Sequence, residues 1–251
     1  MASTLTILTG ASRGLGAAIA EQLLKRGAVL LTMSRHPDET LDAKARKAGA
    51  SLEQWAVDLA DSVSVSARLE AWLQSQQDAY SSATLINNAA LAGKARPISE
   101  SDAPALAAVL RVGLEAPLLL TRAFLRATRA WSVPRKVLNI SSGAGKKPLA
   151  GAAAYCAVKA GLDHFSRAAA LDESNETNAA MIVSLAPGVI DTDMQTELRE
   201  SDPRLFPSQP MFAAMKAQGQ LTSTQDAATK ILAFLGRRDF GTHPVADVRD
   251  T

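Results

Sequence analysis

One cysteine, Cys156, is all the chain has in 251 residues. A lone thiol excludes an internal disulfide framework. No histidine lies near it in sequence to act as its base, so Cys156 reads as a packing residue rather than a nucleophile. The three histidines, His36, His164 and His243, show no metal-ligand spacing. No run of apolar residues reaches membrane-spanning length. The first apolar run, in MASTLTILTG, has no basic region before it, so a secretory signal is not expected. Charge of one sign is also lacking: Lys+Arg 27 stand against Asp+Glu 25. A nucleic-acid or acidic-membrane partner would need a basic excess or patch. There is no internal repeat, low-complexity tract or interdomain linker. The expectation is a soluble cytoplasmic protein, residues 1–251 forming one domain with a large core.

What is present begins with a β-rich run, residues 4–9, followed by TGASRGLG and a helix-like stretch over 17–26. Strand, glycine turn and helix form the context that a dinucleotide site requires. Glycines let backbone approach a diphosphate, and a helix N-terminus favours its charge. The spacing is Gly10-x-x-x-Gly14-x-Gly16, and no Gly-Lys-Ser/Thr follows, so a P-loop is not expected. Gly10, Ser12, Arg13, Gly14, Leu15 and Gly16 are the cofactor candidates in this loop. A second strand over 28–33 ends at Ser34-Arg35. An acidic residue there would bind the ribose 2′-hydroxyl of NAD. Ser34 carries no charge, and Arg35 with Arg13 suits the 2′-phosphate of NADP. The third strand, 51–57, precedes Asp58-Leu59. Asp58 reads either as an acceptor for the adenine amino group or as a cap for the helix over 61–77. The fourth strand, 83–87, closes in Asn87-Asn88-Ala89. These asparagines read as turn-forming groups or as contacts to a bound ribose.

A long apolar helix is expected from about 103 to 129, with Pro104 early in it and a kink or early turn at Pro117. A buried strand over 136–141 leads to Ser142. Tyr155 follows thirteen residues later and Lys159 four after that. On a helix over 152–172 these two share a face. Ser142 falls at a strand end, where open α/β sheets bind ligands. A tyrosine beside an ammonium, with a serine hydroxyl opposite, suits proton transfer to a carbonyl oxygen. The expectation is that Lys159 pulls the Tyr155 pKa below its usual value of about 10. By itself a Tyr-x-x-x-Lys pair also fits a packing tyrosine. A sixth strand, 179–185, precedes PGVIDT, Pro187 to Thr192. Over 193–220 the regular pattern fades; the stretch reads as a substrate lid or as a helical flap over the core. A helix over 225–235 and an edge strand within 240–248 complete the chain.

TGASRGLG, Asn-Asn-Ala, Ser142, Tyr155-x-x-x-Lys159 and Pro187-Gly188, in this order over nearly the whole chain, resemble the short-chain dehydrogenase/reductase family. The resemblance implies a doubly wound, Rossmann-like parallel sheet of about seven strands with helices on both faces. It implies Tyr155 as general acid/base, Lys159 on the nicotinamide ribose, and Ser142 orienting the carbonyl. It places Pro187, Gly188, Ile190 and Thr192 around the nicotinamide, Asp58 and Leu59 at the adenine, and Asn87, Asn88 and Ala89 along the cofactor. It also implies NADPH as cofactor, a small carbonyl substrate, and a homodimer or homotetramer paired through the two long helices. Two departures stand out. Gly113 occupies the position where the family often has an asparagine holding a relay water, and Ala90 replaces the usual glycine. The C-terminal half, through PGVIDTDMQ and Gly219-Gln220-Leu221, is similar to the sepiapterin and benzil reductase branch, which reduces pterin side-chain ketones and vicinal dicarbonyls. A second reading is a catalytically weak cofactor sensor on the same fold. A nucleotide-sugar epimerase is a third, with little chain after the sixth strand to hold such a substrate.

Overall fold

The structure is a computed structural model that describes residues 3–76 and 80–250. Seven strands form one parallel sheet in the order β3-β2-β1-β4-β5-β6-β7. They are β1 Ser3–Thr9, β2 Ala28–Ser34, β3 Ser51–Ala56, β4 Tyr80–Asn87, β5 Arg135–Ile140, β6 Met181–Ala186 and β7 Val245–Asp247. The helices are α1 Gly14–Leu23, α2 Glu39–Ala48, α3 Ser62–Ser75, α4 Ala103–Leu110, α5 Ala116–Ala127, α6 Ala153–Glu173, α7 Asp193–Glu200, α8 Gln209–Ala217 and α9 Thr224–Leu235. The Rossmann-like α/β architecture expected from the sequence is the one observed.

The central strands are buried on both faces, which is why they read as near-continuous apolar runs. Alternation along each strand divides the core in two. Leu5 and Ile7 of β1, Leu85 of β4 and Val137 of β5 pack under α3 and α5, against Leu69, Leu73, Leu120 and Phe124. Leu8, Ile86, Leu138 and Val183 pack on the other face under α1 and α9, against Ile19, Ala228 and Ile231. The chain runs outward from β1 to β3, then crosses back to β4. The β1/β4 boundary is therefore the switch point, where a crevice opens beyond the strand ends.

Two segments resolve alternatives that the sequence leaves open. Pro117 lies in the first turn of α5, and α4 and α5 are joined by a π-helical turn, Arg111–Glu115, in which the Ala116 N–H reaches back to the Arg111 carbonyl. Proline lacks an N–H, and the wider turn accommodates the loss. The combined stretch Ala103–Ala127 is long and apolar enough to cross a membrane by length and composition, contrary to the expectation of no such run. Here Ala116, Leu120, Ala123 and Phe124 of that stretch lie wholly buried in the sheet-facing core. Residues 193–220 are largely helical, forming α7 and α8. Phe206 between them is fully buried and stacks on Phe212, so the flap contributes core of its own.

Candidate active site

The glycine turn is built by close backbone approach. Gly10 takes φ 73° as β1 ends, and a Cβ on Gly16 would lie 1.9 Å from the Gly10 carbonyl oxygen. Only glycine fits there. The turn is held from β4: Thr9 Oγ1 accepts the Asn88 and Ala89 N–H groups at 3.0 Å each. Asn88 Nδ2 donates to the carbonyls of Thr9 and Gly10 at 3.0 and 3.2 Å. The Asn88 side chain thus supports the loop. Asn87 is buried, and its Nδ2 donates to Asn139 Oδ1 at 2.8 Å and Thr121 Oγ1 at 3.3 Å. It ties β4 to β5 and α5.

Helix α1 begins at Gly14, inside the glycine turn, earlier than its apolar pattern indicates. Arg13 stands at the cap position without a capping side-chain bond, and the first turn holds no acidic residue. The N–H groups of Gly14, Leu15 and Gly16, beside half-buried Ser12, keep the positive end of the helix open. That donor set fits the diphosphate of a dinucleotide. Across the crevice, Thr192 Cγ2 would lie 3.9 Å from a Cβ on Gly14, and Arg13 Nη1 pairs with Asp193 Oδ2 at 3.3 Å. Glycine loop and flap therefore meet over the switch point.

At the end of β2, Ser34 is buried and its hydroxyl donates to the His36 carbonyl at 2.9 Å, while Arg35 is exposed. Asp58 is exposed, with Oδ1 accepting the Ala60 N–H at 2.9 Å. It shapes the turn before α3, which starts only at Ser62 behind Asp61. Leu59 packs in the core. Pro187 and Gly188 follow β6 and line a cleft of about 240 Å³ with Val189, Met215, Gln220 and Thr222. Ile190 bridges to Thr222, and Asp191 pairs with Arg199 of α7 at 3.4 Å and with Lys216 of α8. The root of the flap is fastened at this point.

Three consecutive residues at the end of β5 each grip one residue of α6. The Ile140 carbonyl accepts Lys159 Nζ at 2.7 Å. Ser141 Oγ donates to Asp163 Oδ1 at 2.6 Å. Ser142 stands near the Tyr155 phenol and works against the rise in its pKa, and its Oγ accepts the Ala144 N–H at 3.2 Å. Lys159 Nζ lies 5.6 Å from the Tyr155 ring centre. Ser142, Tyr155 and Lys159 are therefore gathered at the end of β5. Their electrostatics differ from the expectation. Burial pushes the Tyr155 phenol up from its ordinary value, with Ser142 opposing. Burial pulls Lys159 down to about 8, with the Asp163 carboxylate opposing. The Lys159 ammonium is turned to the Ile140 carbonyl, and burial dominates the Tyr155 shift. A raised phenol is a protonated phenol, which is the form a general acid needs.

Gly113 has no side chain to offer a relay water, and the structure shows no room for one: a Cβ there would meet Val158 Cγ1 at 2.6 Å. Cys156 accepts the Leu149 N–H at 3.4 Å, in keeping with a packing role. The residues missed from sequence are Asp163 with Ser141 and Ser184, and Asn139 with Ser166. Asn139 Nδ2 donates to Ser166 Oγ at 2.9 Å, and Ser184 Oγ donates to Asp163 Oδ1 at 2.7 Å. The available signal was the helical spacing of Lys159, Asp163 and Ser166, which puts them on the face of α6 turned to the sheet.

Comparison with known proteins agrees with this architecture. The family model described as short chain dehydrogenase matches residues 4–203. A benzil reductase ((S)-benzoin forming) of Bacillus cereus is 35% identical over 235 residues, covering 93% of this chain and 94% of that protein. A sepiapterin reductase of Xenopus tropicalis is 32% identical over 248 residues, covering 94% and 92%. A metagenomic short-chain oxidoreductase crystallised in complex with NADP superposes with a TM-score of 0.71 at 28% identity, covering 97% and 94%. With the glycine turn at the sheet's switch point and Ser142, Tyr155 and Lys159 gathered at the end of β5, the chain belongs to the short-chain dehydrogenase/reductase family of nicotinamide-dependent oxidoreductases.

Proposed function

We propose that the protein is an NADPH-dependent carbonyl reductase acting on a ketone or 1,2-dicarbonyl, pterin side-chain ketones included. The observation that carries this is the gathering of Ser142, Tyr155 and the buried Lys159 at the end of β5, with Lys159 Nζ 5.6 Å from the Tyr155 ring centre. When bound, the nicotinamide supplies the hydride that adds to the carbonyl carbon. Tyr155, protonated at neutral pH, donates its phenolic proton to the carbonyl oxygen. Ser142 donates a hydrogen bond to the same oxygen as charge builds on it. Lys159 holds positive charge near the phenolate that Tyr155 becomes, which favours the transfer.

The backbone of Gly14 to Gly16 holds the diphosphate, and Arg13 with Arg35 takes the 2′-phosphate. The absence of a carboxylate at Ser34 supports the phosphorylated cofactor. The names of the benzil and sepiapterin reductase relatives support the dicarbonyl and pterin classes. Residues 193–220 act as the substrate lid, with Asp191 as its root. Leu110 on α4 and Leu171 on α6, 43% and 69% exposed, support pairing of two or four copies through these long helices. The enzyme works as a soluble cytoplasmic protein with a small-molecule partner and without nucleic acid or membrane. The test is oxidation of NADPH and of NADH against ketones, 1,2-diketones and pterins. Turnover of 1,2-diketones with NADPH ahead of NADH is the expected result. Cofactor binding without turnover across the panel would favour a sensor instead.

A further inference from the structure

We propose that Asp163 is the counter-ion of Lys159, a positioning residue that keeps the ammonium charged for proton transfer at Tyr155. The proposal rests on the reductase reading and names a group outside the Ser142, Tyr155 and Lys159 trio. Asp163 lies one turn after Lys159 on α6, and both are almost wholly buried, 4% and 3% exposed. A buried carboxylate is costly unless it is hydrogen-bonded and paired. Asp163 has two hydroxyl donors on one oxygen, Ser141 at 2.6 Å from the end of β5 and Ser184 at 2.7 Å from β6.

Its second oxygen lies under the turn after β5. A Cβ on Gly145 would meet Asp163 Oδ2 at 2.7 Å and the Lys159 carbonyl oxygen at 3.1 Å. That turn lies closely over the Lys159–Asp163 segment. The groups nearest Lys159 are Tyr155 on its own helix and the Ile140 carbonyl from β5, and Asp163 one turn on acts on it as a charge without a direct ion pair. Those facing Asp163 are the hydroxyls of Ser141 and Ser184 and the Gly145 turn. Asp163 is the only charged group among the described residues that acts against the burial of Lys159. Burial alone would discharge the lysine near neutral pH; a fixed negative charge one turn away opposes this.

The test is the titration of Lys159 itself, read by ¹³C NMR of its ε-methylene in the full chain and assigned against Lys159→Met. Asp163→Asn removes the charge and keeps the shape. Asp163→Ser, uncharged and smaller, is the second variant should the amide not fit under Gly145. Both are expected to lower the Lys159 midpoint by about one to two pH units. The alkaline limb of kcat should move to lower pH by the same amount, so that the activity lost relative to wild type grows as pH rises from about 5 to about 8. A wild-type midpoint, an activity loss equal at all pH values, or failure of both variants to fold would overturn the proposal. The NMR titration needs no substrate, so an inert wild-type protein would sink the reductase reading and leave this one open to its own result.

Discussion

Helix α6 buries three charged side chains, Lys159, Asp163 and Glu173, and treats the lysine and the glutamate oppositely. Near its C-terminus Glu173, 3% exposed, is saturated. It accepts from Arg135 at 3.2 Å, from Arg129 Nη1 at 3.1 Å and also from Arg129 Nη2, and from the Ala180 N–H at 2.8 Å. Arg135, wholly buried, also reaches the Leu125 and Asn178 carbonyls. Near the N-terminus Lys159 donates to one carbonyl, and its pKa falls to about 8. The lesson is physical. Full pairing at one end locks β5, β6 and α5 to α6, while sparse pairing at the other leaves a group able to change charge near working pH.

The largest way to break this contrast is at the saturated end. Glu173→Gln leaves Arg135 buried without its partner. A loss of about 3–5 kcal/mol of stability is expected in urea unfolding, with kcat of the remaining folded enzyme near wild type. At the sparse end the effect appears as a pH slope. Lys159 has a folded pKa lowered from 10.5 to about 8, so above pH 8 the unfolded chain binds the proton more readily. Stability should rise by about 3 kcal/mol as pH passes from 8 to 10.5, the cost of the buried charge being fully present below 8. In Lys159→Met that component of the rise should be absent from matched unfolding curves. The smallest effect lies between the two ends. Gly113→Ala drives a methyl into Val158, the neighbour of Lys159, and should cost about 1–3 kcal/mol and lower kcat. Adding Val158→Ala should restore both.

These contrasts also show what the sequence could carry. The glycine turn, Ser142, Tyr155 and Lys159 were legible because their chemistry depends on local spacing: one turn, one helical face, one strand end. The central strands were legible because strands covered on both faces read as apolar runs. Asp163 was not legible, since its meaning comes from Ser184, distant in sequence and adjacent only once β6 lies beside β5. The bonds of Asn87 Nδ2 to Thr121 and Asn139 were hidden for the same reason, since those partners are distant in sequence. The direction of the Tyr155 shift depends on burial, a tertiary property that Tyr-x-x-x-Lys does not encode. Over 193–220 the polar, proline-broken pattern allows a helical flap without giving the bounds of α7 and α8.

The most direct measurement is single-turnover reduction of a 1,2-diketone by NADPH-loaded wild-type protein and by Tyr155→Phe. The account predicts that the variant binds NADPH as the wild type does and reduces the diketone about 10²–10⁴-fold more slowly. Wild-type reduction rates in Tyr155→Phe would contradict it, because the phenol would then not be the proton donor.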